Sequence, residues 1–134
     1  MSAKLGVVVA GVGLMLAAVP VRAHHAFSAE FDINKPLKIQ GTLTKWEMIN
    51  PHSWFHVDVK GPDGNVVPWL IEGGSPNQLI RLGVTKYTLR IGTEFVIEGY
   101  QAKDGENRAV GRNFVLADGK RLFLGGSAGS EPNK

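Results

Sequence analysis

The sequence predicts a mainly β domain, a small OB-like barrel of five to six strands with one short helix between strands 3 and 4. Three observations lead there. Residues 53–60 alternate cleanly, with Phe55, Val57 and Val59 on one side and Trp54, His56 and Asp58 on the other, the period of a half-buried strand. Turn-forming clusters, Gly61-Pro62-Asp63-Gly64-Asn65 and Lys103-Asp104-Gly105-Glu106-Asn107, separate apolar runs at hairpin spacing. A single helix start, Ser75-Pro76, falls between the third and fourth runs. Three strands, a short helix and two or three further strands is the element order of an OB-type barrel.

The first strand is expected over residues 37–48. Leu37, Ile39 and Leu43 share one face, whereas Trp46 and Met48 share the other with Thr42 and Thr44. A bulge near Thr44 and Lys45 would reconcile the two halves. After the break at Ile49-Asn50-Pro51-His52, the second strand runs from Ser53 to Lys60 and the third from Val66 to Ile71, with Pro68 marking an edge or an interruption. Ser75 suits an N-cap and Pro76 the first helical position. Leu79, Ile80 and Leu82 are then expected to form an apolar stripe before Gly83 ends the helix. Glu94–Gln101, with Phe95 and Ile97 inward, Arg108–Leu116 and Arg121–Leu124 complete the strands.

The ends of the chain have a different character. Met1-Ser2-Ala3-Lys4, an apolar run from Leu5 to Val19, and Pro20-Val21-Arg22-Ala23 have the layout of a secretory signal. The run falls short of the about 20 residues needed to span a bilayer. The expected organisation is a signal peptide over 1–23, an extended arm over 24–36 anchored by Phe27 and Phe31, a barrel domain over 37–124 and a disordered tail over 125–134. Cleavage after Ala23 removes Lys4 and Arg22 from the 15 basic residues, leaving 13 against 12 acidic ones and a net charge of +1. That balance, with no clustered Lys/Arg segment, argues against nucleic acid as a partner. There are no cysteines, which excludes disulfides and thiolate metal sites. Localisation is expected to be periplasmic, with no membrane span after processing.

The chemistry gathers on histidine. His24, His25, His52 and His56 are the four in the chain. Cleavage after Ala23 would give His24 a free backbone amine beside its imidazole. An α-amine with a pKa near 7.7–8.0 yields its proton readily to a metal, and two such nitrogens plus a second imidazole make a T-shaped site suited to Cu(II), with zinc or nickel as alternatives. His52 and His56, four residues apart on an extended chain, lie about 13 Å apart, so one ion takes only one of them. His52, at a strand start after a proline, is the favoured distant ligand, and His25 is the alternative. The expected metal set is therefore His24, His25 and His52. Glu30, Asp32 and Asp58 could orient a ligating imidazole. Catalysis is not expected, since no nucleophile context or carboxylate pair stands out; a copper monooxygenase is the minor enzymatic option. The competing reading is a metal-free OB-type module for a glycan, small ligand or periplasmic protein partner, using Trp54, His56 and Trp69 on an open face.

The ordered set His24-His25-Ala26-Phe27, Glu30-Phe31-Asp32, Asn50-Pro51-His52, Ile71-Glu72-Gly73-Gly74-Ser75-Pro76-Asn77, Val96-Ile97-Glu98-Gly99-Tyr100 and Leu116-Ala117-Asp118-Gly119 resembles a family of small exported bacterial proteins of unknown function. That resemblance implies export and a compact β fold rather than an activity. A looser one, carried by His24 and His52, is to proteins whose processed N-terminal histidine forms a copper brace, and it implies copper binding or delivery.

Overall fold

The computed structural model describes residues 30–126 and 128. Its elements are β1 (Phe31–Glu47), β2 (Trp54–Lys60), β3 (Val66–Glu72), α1 (Pro76–Arg81), β4 (Glu94–Ala102), β5 (Arg108–Leu116) and β6 (Arg121–Phe123). The strands form one sheet in the order β3-β2-β1-β4-β5-β6, and β3 pairs a second time, with β5, so that the order closes into a ring. The closing contact is parallel, matching Leu70 with Arg108, Ile71 with Ala109 and Glu72 with Val110, whereas every other pairing is antiparallel. Among the described residues no helix is long and apolar enough to cross a membrane.

The expected bulge falls where the parity of β1 requires it. Leu43 opposes Val57 and Trp46 opposes Phe55, with the register shift between Leu43 and Lys45. The extra residue turns Trp46 onto the face that already carries Leu43, so one long strand feeds the same core at both ends. Phe55 is the hub of that core. It stacks on Trp46 at 5.2 Å between ring centroids and meets Phe114 edge-on at 5.1 Å, and Phe114 in turn stacks on Phe95 at 4.1 Å. Such offset and edge-to-face pairs add to what burial of the rings already contributes.

Two expectations change. The first strand begins at Phe31, not Leu37, so residues 31–36 of the expected arm are paired into the sheet: Phe31 is opposite Ala102 and Pro36 opposite Tyr100, with an irregular stretch between. Backbone pairing needs no side-chain alternation, which is why hydropathy patterning misses this stretch. The helical stripe also shrinks. Ser75 accepts from the Gln78 N–H in a full capping box, but only Leu79 is buried, while Ile80 and Leu82 are exposed. A helix of six residues presents a single turn to the core, and Leu82 is already its C-cap.

A second, smaller cluster lies on the opposite side of the sheet from Phe55, where Phe31, Ala102, Val110 and Ala128 pack together. Here β4 and β5 approach very closely. A Cβ on Gly99 would run into the Val110 carbonyl oxygen, at the register shift between Glu98 and Gly99. Gly99→Ala is therefore expected to lower stability by about 1–3 kcal/mol through overpacking against backbone. The check is the urea midpoint, with an unchanged value placing Gly99 away from any close approach.

Candidate functional site

His52 lies just ahead of β2, and the backbone fixes its place. The Ser53 N–H donates to the Gly74 carbonyl and the Gly73 N–H donates to the Ser53 carbonyl, each at 2.9 Å, which carries the β2–β3 ladder beyond the strand ends. The Asn50–Pro51 peptide is cis. Trp54 and Glu72 are register partners, so their side chains leave the same face of the sheet, and His52, two residues before Trp54, belongs to that face by the strand period. The result is a direct contact: His52 Nδ1 is 2.8 Å from Glu72 Oε1.

The two partners differ sharply in environment. The Glu72 side chain is 6% exposed and that of His52 is 42% exposed. Burial pushes the Glu72 carboxyl above its ordinary value, the His52 and Arg108 charges pull it back, and Glu30 adds to the upward push. When ionised, Glu72 accepts the Nδ1–H of His52. That hydrogen bond holds the neutral imidazole in the tautomer whose Nε2 carries the lone pair. A carboxylate behind one ring nitrogen and an open lone pair on the other is the arrangement that orients metal-binding histidines.

Glu30 and Arg108 bring the start of the described chain to this place. Arg108 contacts Glu30 at 3.4 Å and Asp104 at 3.5 Å, its guanidinium lies 5.5 Å from the centroid of the buried Phe31 ring, and the Lys103 N–H donates to the Glu30 carbonyl at 2.9 Å. The parallel pairing of β3 with β5 sets Leu70 beside Arg108 and Glu72 beside Val110, so the residue that grips Glu30 is a close neighbour of Glu72.

His24, His25 and Phe27 lie outside the described residues. Among the described residues no group of three or more His, Cys, Asp or Glu side chains is gathered as a metal set. His56 is separate from His52 and sits 2.8 Å from Glu47, whose carboxyl it holds below the usual range, aided by Lys45. None of the three acids expected to orient a ligating imidazole is the partner of His52, and their placement relative to His24 and His25 lies outside the described residues. Asp32 accepts from the Asn34 N–H, Asp58 lies opposite Thr42 and Pro68, and Glu30 pairs with Arg108. The acid that contacts His52 is Glu72, which reads in the sequence as the end of an apolar strand at a glycine-rich turn into the helix. An acid closing such a run, at a point where two other strands meet, is the signal that could have found it. The Trp54–His56–Trp69 face is not assembled either: Trp69 is opposite Val57 on the core side, whereas Trp54 and His56 are opposite Glu72 and Leu70 on the other.

The model of a family described as a family of unknown function, DUF6152, matches residues 11–112, more than half of the chain. The chain belongs to DUF6152. The matched span contains His24, His25, His52, Glu72 and Arg108, so both halves of the candidate site fall within DUF6152. No curated protein matches the chain.

Proposed function

We propose that this DUF6152 protein is exported to the periplasm, is processed after Ala23, and there binds or handles Cu(II) on an OB-like barrel. The backbone amine and imidazole of His24 form a chelate, and Nε2 of His52 supplies the third nitrogen, with His25 as the alternative imidazole. Zinc and nickel suit the same nitrogen donors, though the T-shaped set favours Cu(II).

The observation that carries this reading is the 2.8 Å contact between His52 Nδ1 and Glu72. It gives the one distant histidine favoured by the sequence a fixed tautomer and a supported ring. Reach is consistent with it. His24 is six residue steps from Glu30, a span of up to about 20 Å when extended, and Glu30 is close enough to Glu72 to act on its charge.

The test compares the processed protein with a version carrying one extra residue before His24. Every imidazole is kept, but the amine leaves the chelate. Copper affinity is expected to fall at least tenfold, about 1.4 kcal/mol, and the EPR spectrum to change. Equal affinity and identical spectra would remove His24 from the site.

A metal-free binding module remains the second reading. It is favoured by a specific feature, an apolar groove that includes neither His52 nor Glu72 in its lining, but its residues are not those of the Trp54 face.

A further inference from the structure

A groove of about 600 Å³ lies against α1, the end of β1 and the segment leading to β4. Its volume is within the roughly 300–1,000 Å³ of small-ligand sites. The apolar wall is made by Trp46, Met48, Ile80, Tyr87, Leu89 and Ile91. Leu89 belongs to the core, but Met48 is 42% exposed, Ile80 56%, Tyr87 73% and Ile91 61%. Apolar side chains scattered singly over a surface need no explanation, whereas several gathered around one concavity mark a binding surface. Covering them returns roughly 25 cal/mol for each Å² of apolar area removed from water.

The charge of this groove has one sign. Lys86 and Arg90 line it and no carboxylate does. Neither cation is in an ion pair among the described residues; Lys86 instead lies 5.3 Å from the centroid of the Tyr87 ring. An apolar trough with two available cations complements a molecule that is hydrocarbon along its length and anionic at one end, and a guanidinium matches a carboxylate in a two-point hydrogen bond. A concave trough accommodates a single chain better than it accommodates a flat bilayer surface.

We propose that this groove binds a free fatty acid, with the alkyl chain along Ile80, Tyr87, Ile91 and Met48 and the carboxylate held by Lys86 and Arg90. The site shares no residue with the His52–Glu72 pair and stands independently of copper.

The experiment is calorimetric titration of the protein, recovered from cells expressing the full chain, with dodecanoate below its micellar concentration. Saturable one-to-one binding is expected. Dodecyltrimethylammonium, with the same chain and the opposite charge, is expected to bind at least tenfold more weakly. The Lys86→Glu/Arg90→Glu double variant should lose at least tenfold in dodecanoate affinity. Ile91→Glu should abolish binding while leaving thermal stability and copper affinity unchanged, because Ile91 is 61% exposed and is not among the residues of either core cluster. Equal binding of the two surfactants would overturn the assignment. So would capture by phosphatidylglycerol vesicles without binding of monomeric dodecanoate, which would make the face a membrane-docking surface. Concentration-dependent dimerisation abolished by Ile91→Glu, again without dodecanoate binding, would assign the groove to a second copy of the chain.

Discussion

Phe55→Ala is expected to destabilise the domain by about 3–5 kcal/mol, the range for deleting a fully buried aromatic ring, and to lower the melting temperature by at least about 12 °C at roughly 4 °C per kcal/mol for a domain of this size. Phe55 is fully buried, and its ring joins Trp46 on β1 to Phe114 on β5. It also leaves no room at Gly73, where a Cβ would come within 2.8 Å of it, so the ring packs directly under the backbone that brackets Ser53. The surroundings cannot collapse into the void without moving three strands, which places the cost high in the range. Against a total stability of about 5–15 kcal/mol, the variant should sit near its unfolding threshold at 37 °C. Trp54→Ala is the comparison. Trp54 neighbours Phe55 in sequence but lies half-buried on the other face, and its loss should cost well under half as much. Chemical denaturation of both variants decides the point, and equal losses would mean that β2 does not separate a core face from an outer one.

Much of this architecture is legible from the residues because side-chain alternation and core-facing burial are the same fact. The strand at Arg108–Leu116 matches its sequence-based bounds, and the parity break in β1 coincides with the bulge between Leu43 and Lys45. The ring closure is different. Leu70 beside Arg108 and Glu72 beside Val110 join segments nearly forty residues apart, and nothing local in either encodes the partner. The chemistry is split in the same way. His52 stands out as one of four histidines at a strand start, whereas Glu72 acquires its meaning only from being buried and 2.8 Å from that imidazole. The expected tryptophan face failed for a related reason. Residue type suggested a platform, but register decides sides, and Trp69 pairs with Val57 on the core side.

Glu72→Gln is expected to move copper affinity and stability in opposite directions. Gln has the same shape and its carbonyl can still accept from His52 Nδ1–H, but it carries no charge to raise the basicity of Nε2. Loss of such a supporting carboxylate costs about 10–100-fold in metal affinity, up to about 2.8 kcal/mol at 1.4 kcal/mol per tenfold. The metal-free protein should respond the other way. Burial is the largest influence on Glu72 and raises its pKa above the ordinary carboxylate value despite the opposing pull of His52 and Arg108. A carboxyl raised in this way binds its proton more tightly folded than unfolded. The folded state therefore holds more protons between the ordinary value and the raised one, and stability declines as pH climbs through that window. Below the window Glu72 is neutral in both states and the penalty is absent; above it the full cost of a buried charge is carried. Gln is neutral throughout, so the variant should lose this slope and be more stable than the parent at neutral pH, with the two converging in acid. Denaturation midpoints of both chelator-treated proteins between about pH 4 and 8, with copper titrations at pH 7, read the two effects separately. A variant that binds copper as well as the parent removes Glu72 from the support of the site. One that is destabilised at pH 7 would instead mean that the ionised pair holds β2 and β3 together, and that the His52–Glu72 contact serves the fold.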